Sequence, residues 1–526
     1  MPQQSNRSVL QECAEVSESK PQFSHQRLTN GRLLARNSFW SLFGNMVPML
    51  VALICMPILI RGLGKDRFGV LTLAWALIGY ASLFDLGLGR ALTQLVARKL
   101  GAGDDHAIPS VSWTSLSLMS LLGIAAAALV IVISPVLVHR LLNIQPALQY
   151  ETLQSFRLLG ISIPFVITTA GLRGLLEAHQ RFRLITALRI PMGVLTFAGP
   201  LLVLPFSRSL VAVVASLVVG RVMLWAAYLV LCLRTLPALR RLTWDTGSVG
   251  SLLRFGSWMT VANAVNPVLV SMDRFLIGII LPVAMVGFYT VPFEAVSKMW
   301  LIPVSLTATV FPACGTIGTS RKEELSRLYS RSIKYLFLLL APISLIVFLF
   351  AGNILQFWLG HEFADKSTAV LRLLSVGVFV NCFAHIPFCF IQGLGRPDVT
   401  AKLFALELLP YAGFAWLMIH HEGILGAAIA WSIRAALELV ALLWLAWRLY
   451  SLSPRTLLGQ GTIPALAALC MLGLAIVLTM VTLRNSLSVE ILLTVVWLAI
   501  FSSVTWKFVF DDSDRGSILR IVALRN

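Results

Sequence analysis

Charged residues are scarce in this chain. Only 13% of its 526 residues are charged, whereas a soluble domain carries about 25%. Hydrophobic residues make up 57%, and the mean hydropathy is +0.83. This composition excludes an ordinary soluble protein and predicts an all-α polytopic membrane protein.

Cysteines are few and predict no disulfide framework, because the seven residues are scattered and nearly all lie in apolar runs. Cys382, His385 and Cys389 fall on one helix face, but zinc would need a fourth ligand and polar groups that orient the ligands. We therefore predict an apolar packing face there and no metal site.

Motifs for catalysis are missing as well. The chain has no Walker A sequence, no evident pair of nucleophile and base, and no connection long enough to hold a catalytic domain. We expect no enzyme activity and no organic cofactor. The 42 Lys and Arg residues outnumber the 24 Asp and Glu residues, but no aromatic and basic module accompanies them, so we predict no nucleic acid partner.

Apolar runs long enough to cross a bilayer, about 20 residues each, recur along the chain. The fourteen predicted spans are 37–60, 68–89, 108–134, 153–176, 184–206, 209–233, 256–281, 284–312, 333–358, 368–392, 400–420, 424–447, 461–483 and 488–509. Most Lys and Arg residues fall in connections that are cytoplasmic when the N-terminus is inside. Both termini are therefore predicted to be cytoplasmic.

The sequence also contains a weak internal repeat. A shift of 218 residues aligns four identical pairs: Arg36 with Arg254, Trp40 with Trp258, Asn45 with Asn263, and Gly69 with Gly287. A shift of 215 residues aligns Arg157 with Arg372. Six spans per repeat predict two pseudo-symmetric six-helix lobes, related by an axis along the membrane normal.

This repeat sets the predicted domains. A disordered cytoplasmic tail at 1–35 precedes an N-lobe at 36–235 and a C-lobe at 236–450. Residues 451–526 hold two further helices and a short cytoplasmic tail. The first 35 residues are not read as a signal peptide, because the apolar run after them is too long.

Ionisable residues inside the predicted spans are the candidates for function, because each costs about 2.5–3.5 kcal/mol near a helix centre on insertion scales. They are Arg221, Asp273, Arg274, Glu294, Lys298, Glu407, Arg434 and Glu438. Such side chains must face a water-filled cavity or one another. Two interpretations remain open: structural ion pairs, or a cavity whose cations face an anionic substrate.

The spacing of these ionisable residues in the sequence helps to choose between structural ion pairs and a cavity that faces substrate. Glu294 and Lys298 are four residues apart and can pair on one helix face, and so can Arg434 and Glu438. Arg221 has no such partner in its own helix, which favours a cation that faces substrate. The predicted substrate-binding cations are Arg221, Arg274, Lys298 and Arg434.

Four residues are candidates for ion coupling or gating: Asp85, Arg90, Asp273 and Glu294. Asp273 is either a protonation or ion site or one member of a structural pair between helices. Asp85 and Arg90 lie where the second span reaches the cytoplasmic boundary, with Gly87 and Gly89 between them. We interpret this segment as an inner gate or, alternatively, as a packing motif between helices.

Several motifs, taken in order, resemble those of the Wzx-type polysaccharide flippases of the MATE, polysaccharide transporter and MurJ superfamily. They are a first helix ending in P-x-x-x-R-x-L-G, then FGVLTLA, FDLGLGRAL, EAHQRF, MDRFLIGIIL with VGFYTVP, and IQGLGRPDVTAKLFALEL. The resemblance covers residues 32 to about 450. It implies two six-helix lobes around a central cavity that opens to alternate sides of the membrane.

The same resemblance implies a function. The protein would be a bacterial inner-membrane flippase that moves a polyprenyl-diphosphate-linked oligosaccharide to the outer leaflet for O-antigen, capsule or exopolysaccharide synthesis, driven by H⁺ or Na⁺. Expected partners are this glycan lipid, membrane lipids, and the machinery that polymerises and exports polysaccharide. Alternatives are a MATE-like cation-coupled drug or metabolite antiporter, a lipid II-type flippase, and a membrane scaffold without transport activity.

Overall fold

The structure is a computed structural model, and it is helical throughout the residues that it describes. These are residues 31–81, 88–102, 104–179, 181–241, 243, 268–317, 321–394, 396–452, 462–482 and 487–509. Within them, no strand occurs, and seven helices are long and apolar enough to cross a membrane by length and composition. The predicted all-α membrane fold is confirmed for this part of the chain.

The first half of the bundle contains seven α-helices within the described residues. They are α1 (Gly31–Leu63), α2 (Lys65–Ala81), α3 (Leu88–Ala102), α4 (Ile108–Val136), α5 (Pro146–Ala178), α6 (Phe182–Val203) and α7 (Leu210–Thr235). A π-helical turn at Leu137–Leu141 follows α4. The central helix is α5, because it packs against α2, α3, α4 and α7.

Nine α-helices follow in the described part of the chain. They are α8 (268–280), α9 (Ala284–Ser297), α10 (Leu301–Ile317), α11 (Lys322–Leu349), α12 (Ala351–Leu359), α13 (His361–Gly393), α14 (Pro397–Tyr450), α15 (Thr462–Thr482) and α16 (Leu487–Phe508). Gly423, with a φ of 60° that favours glycine, divides α14 into two arms. The centre of this half is α13, which packs against α9, α10, α11 and α14. The terminal pair α15 and α16 is attached through α11.

One helix boundary differs from the predicted spans. A single span was predicted at 333–358, but α11 ends at Leu349 and the short α12 begins at Ala351. Phe350 separates them with a non-helical ψ of 13°. The apolar run continues through this break, so hydropathy alone does not reveal it.

A second difference concerns α3. The predicted span covered 68–89, whereas the structure describes α2 up to Ala81 and α3 from Leu88 to Ala102. Leu88, Leu92 and Val96, four residues apart, are fully buried on one face. This amphipathic segment is too polar to be recognised as a membrane span, and its apolar stripe packs it against α5.

The two halves meet through α2 and α9, which are equivalent under the 218-residue shift. A Cβ atom on Gly287 would lie 4.0 Å from the Cα of Gly69. A Cβ atom on Gly69 would overlap the carbonyl group of Val283. Only small residues allow such a close approach. Because the two glycines are equivalent in the repeat and adjacent in space, they lie beside the predicted pseudo-two-fold axis. The domain boundaries stay a prediction, since residues 1–30, 244–267 and 510–526 lie outside the described part.

Candidate functional site

The first ionic group lies between α8 and the turn after α9. Arg274 donates a hydrogen bond to Glu294 Oε1 at 2.8 Å, and Lys298 Nζ donates to Oε2 of the same carboxylate at 2.9 Å. The predicted pairing of Glu294 with Lys298 is confirmed. Arg274 is buried, whereas the Lys298 side chain is 43% exposed, so Lys298 is the more accessible cation of the two.

Asp273 is fully buried beside this group. Its carboxylate accepts hydrogen bonds from the hydroxyl of Tyr289 and from the backbone N–H of Arg274. Adjacent residues point to different sides of a helix, so Asp273 and Arg274 reach different residues of α9. The role of Asp273 as an ion site stays a prediction.

The second ionic group lies between α13 and the two arms of α14. Arg434 Nη1 is 3.1 Å from Glu438 Oε2, which confirms the predicted pair, and 3.6 Å from Glu407 Oε2. Asn381 of α13 donates a hydrogen bond to Glu438 at 3.2 Å. Two carboxylates therefore share one guanidinium group. Among the described residues, Glu407 Oε2 has no hydrogen-bond donor.

Aromatic rings connect the two groups. The ring of Phe293 lies 5.3 Å from the Arg274 guanidinium and 5.2 Å from the ring of Trp431. The Arg434 guanidinium lies 5.6 Å from the ring of Trp431. Arg274 and Arg434 therefore each contact an aromatic ring as well as a carboxylate. The connected set, called the C-half cluster, is Asp273, Arg274, Glu294, Lys298, Glu407, Arg434 and Glu438.

A cavity of about 150 Å³ adjoins the C-half cluster. Asn381, His385, Arg434 and Glu438 form its polar lining, and Trp300 contributes to its apolar lining. This volume accommodates a few water molecules but no oligosaccharide. The cavity therefore suits small ions and water.

Arg221 is isolated in the first half of the bundle. It lies eleven residues after the start of α7, about 16 Å along the helix and near the middle of a 30 Å hydrocarbon core. Its side chain is half-buried, and its Nε atom is buried without a hydrogen-bond partner. Within the described residues no carboxylate pairs with it, in contrast to Arg274, Lys298 and Arg434.

The predicted inner gate is described only in part. Asp85 and Gly87 lie outside the described residues, and Arg90 lies in α3 with a side chain that is also outside them. Gly89 is buried, and a Cβ atom on Gly174 of α5 would lie 2.9 Å from its carbonyl oxygen. Close helix approach at Gly89 is thus present, while the gating roles of Asp85 and Arg90 stay predictions.

Hydrogen bonds join the two halves at one end of the bundle, called the closed end. Lys65 at the start of α2 pairs with Glu362 of α13 at 2.5 Å. The backbone of Asn143 donates to Gly278 at 2.8 Å and accepts from Val283 at 3.1 Å. The predicted orientation places this end on the outer side of the membrane.

Trp358 of α12 also joins the halves at the closed end. Its Nε1–H donates to the carbonyl of Leu53 in α1 at 2.6 Å. Pro57 follows four residues later and has no N–H, so this carbonyl lacks its usual partner within the helix. The 215-residue shift aligns Asn143 with Trp358, so both repeats place this position at the interface between the halves.

We expect Trp358→Phe to loosen the closed end, because it removes the donor and leaves the Leu53 carbonyl without a protein partner. Loss of one hydrogen bond costs about 1 kcal/mol, which changes a two-state population about fivefold. Spin labels at Arg208 and His421, both exposed, should report longer distances between the halves. A distance distribution like that of Trp416→Phe, which replaces an exposed tryptophan, would contradict this expectation.

Some members of the site were missed by sequence reasoning. Tyr289 and Asn381 are uncharged, and both lie inside apolar runs where charge was the only criterion applied. His385 was considered only as a metal ligand, yet it lines the cavity beside Arg434. A search for any hydrogen-bonding side chain at mid-span depth would have found all three.

Comparisons with known proteins agree on the family. Residues 34–318 match the family "Polysaccharide biosynthesis protein", and residues 259–417 match the MatE family. A Shigella flexneri protein named as an O-antigen transporter is 34% identical over 80% of this chain and 99% of its own length. A Haloferax volcanii protein named as the flippase AglR is 23% identical over 82% of this chain and 87% of its own length.

Solved structures show the same fold. The lipid II flippase MurJ in an inward closed conformation gives a TM-score of 0.70 at 13% identity, over 90% of this chain and 99% of that one. An inward-facing multidrug resistance MATE transporter gives 0.65 at 16% identity, over 78% of this chain and 98% of that one. These relatives are transporters and flippases, and this multi-pass membrane protein is likewise not an enzyme. The chain belongs to the polysaccharide biosynthesis protein family and is a Wzx-type flippase of the superfamily that includes the MATE and MurJ transporters.

Proposed function

We propose that this flippase moves a polyprenyl-diphosphate-linked oligosaccharide from the cytoplasmic to the outer leaflet of a bacterial inner membrane, for synthesis of a surface polysaccharide. The similarity to an O-antigen transporter supports a lipid-linked glycan as substrate. The observation that carries the proposal is Arg221, an unpaired cation at mid-membrane depth that suits an anionic substrate. Lys298 is the most exposed cation of the C-half cluster and is its most accessible contact for substrate.

The contacts between the halves support a cycle of alternating access. In the predicted orientation, the closed end faces the outer side, so this arrangement corresponds to a state open toward the cytoplasm. Release of the glycan would require the contacts of Lys65 with Glu362 and of Trp358 with Leu53 to break. Both contacts are polar, and the packed interface of α2 with α9 would have to separate together with them.

Coupling to an ion gradient is supported by the charge of the C-half cluster. The cluster contains four carboxylates and three cations, so it carries one excess negative charge when every group is ionised. A bound proton or Na⁺ would neutralise it. Asp273 and Glu294 are the predicted coupling residues, and Glu407 joins them because its Oε2 atom has no hydrogen-bond donor within the described residues.

The proposal is tested in a strain that lacks the gene. Lipid-linked oligosaccharide should accumulate as complete repeat units that an added glycosidase cannot reach in intact spheroplasts. The wild-type gene should restore access, while Arg221→Ala should restore about tenfold less. Arg173→Ala is the matched control, because this arginine on α5 is already paired with Glu177 at 3.2 Å.

Normal outward display of the glycan lipid in the deletion strain would contradict the proposal. The remaining candidate would then be a cation-coupled antiporter, which the MatE match over residues 259–417 favours. Sensitivity of the same strain to cationic drugs, restored by the wild-type gene, would identify that activity.

A further inference from the structure

Arg157 is the second arginine in the described part of the first half whose Nε atom is buried without a hydrogen-bond partner. It lies on α5 and is half-buried. Among the described residues, it forms no ion pair. Arginine stays charged in proteins, so a guanidinium group whose Nε atom is buried without a protein partner requires water or an anion.

The register of two helices shows how Arg157 lies relative to Arg221. Near the start of α7, the backbone N–H of Leu210 donates to Glu151 of α5 at 3.4 Å, a separation of 59 residues. Near its end, Cys232 Sγ donates to the carbonyl of Leu172 at 3.4 Å, a separation of 60 residues. The helices therefore run in the same direction with a constant offset.

This offset places the two arginines at neighbouring levels. Arg221 is level with Ile161, and Arg157 is one turn away from Ile161 on the same helix, about 6 Å along the axis. Phe165 of α5, one turn further, contacts Trp225 of α7 with ring centroids 5.3 Å apart. Because Trp225 is itself one turn after Arg221, the stripe that carries Arg157 and the stripe that carries Arg221 face the same seam.

The surface of α5 beside the seam is uncovered at this level. Ile161 is 53% exposed, although its neighbours Gly160 and Ser162 are buried. A ligand that enters there meets two guanidinium groups with no carboxylate between them. The C-half cluster offers no such site, because each of its cations already has a carboxylate partner.

We propose that Arg157 and Arg221 form an anion-binding site on the seam between α5 and α7, and that this site binds the phosphate groups of the lipid-linked substrate. The inference rests on the proposed function and assigns the phosphate groups of the substrate to the seam between α5 and α7. Guanidinium groups bind phosphate through paired hydrogen bonds, and two of them at neighbouring levels match two linked phosphates.

Binding of defined lipids to the purified protein in nanodiscs tests the site. The probes are undecaprenyl diphosphate, the uncharged undecaprenol, and phosphatidylglycerol. Arg157→Gln and Arg221→Gln should each weaken undecaprenyl diphosphate binding about tenfold or more, as expected for loss of a hydrogen bond to a charged group. Binding of undecaprenol should not change, and Arg173→Gln on the same helix should bind like wild type.

Equal affinity of wild type and both glutamine variants for undecaprenyl diphosphate would overturn the site while leaving the flippase function intact. If the glutamine variants lost phosphatidylglycerol binding as strongly as undecaprenyl diphosphate binding, the assignment to the substrate would be overturned and a phospholipid site indicated. Failure of the wild-type protein to bind any polyprenyl diphosphate would instead overturn the proposed function. Arg157→Lys, which keeps the charge but loses the paired donors, should bind with intermediate affinity and controls for misfolding.

Discussion

Gly69→Leu is expected to abolish glycan display, because the new side chain has no space at the interface between the halves. Even a Cβ atom at this position would overlap the backbone carbonyl of Val283 in the other half. A backbone group cannot rotate away as a side chain can, so α2 and α9 must separate. Surface polysaccharide in the complemented deletion strain should fall to the level of the empty vector.

Gly79→Leu is the matched control for this prediction. Gly79 lies on the same helix α2, but an added Cβ atom there would meet none of the described residues within 4 Å. The two variants change helix propensity equally, so they differ only in the space around the new side chain. The control should therefore support nearly normal display. In spin-labelled protein, Gly69→Leu should also lengthen the distance between Arg208 and His421. Normal display by Gly69→Leu would show that the halves do not close through this contact.

Arg434→Gln should strongly destabilise the protein, because it leaves the buried Glu438 and the partly buried Glu407 without their shared cation. Removing one member of a buried ion pair costs on the order of 3–5 kcal/mol, mostly from the uncompensated charge that remains. Denaturant unfolding in a fixed detergent, followed by tryptophan fluorescence, should show this loss in the free energy of unfolding.

Two further variants separate this effect from a general sensitivity to lost charge. Lys402→Gln removes an exposed partner, 4.0 Å from Asp398, and should cost less than about 1 kcal/mol. Arg434→Gln combined with Glu438→Gln should recover part of the lost stability, because one unpaired carboxylate is also removed. If Arg434→Gln alone were as stable as Lys402→Gln, water would already compensate the charges of Glu407 and Glu438.

The sequence predicted the helices well because a bilayer sets their length. The runs at 108–134 and 461–483, for example, correspond to helices at Ile108–Val136 and Thr462–Thr482. Breaks inside an apolar run were not predictable, as Phe350 shows, because composition stays the same while the backbone angles change. The i,i+4 ion pairs were predictable from spacing, since one helix fixes both positions.

Contacts between helices could not be predicted in the same way. The pairing of Arg434 with Glu407 depends on how the two arms of α14 turn at Gly423, and spacing in the sequence does not give that angle. Arg157 was overlooked for a different reason. Arg157 lies four residues inside the predicted span at 153–176, close to its end, and the sequence does not show that neighbouring helices bury its Nε atom without a hydrogen-bond partner.

The contact of Gly69 with Gly287 has a consequence for how the two repeats diverge. After a duplication, equivalent positions usually accumulate substitutions independently, because each copy has its own neighbours. These two glycines are neighbours of each other, and a Cβ atom on Gly287 would already be 4.0 Å from Gly69. A substitution in one copy therefore changes the surroundings of the other. Sequence drift that is free elsewhere in the halves is coupled at this pair.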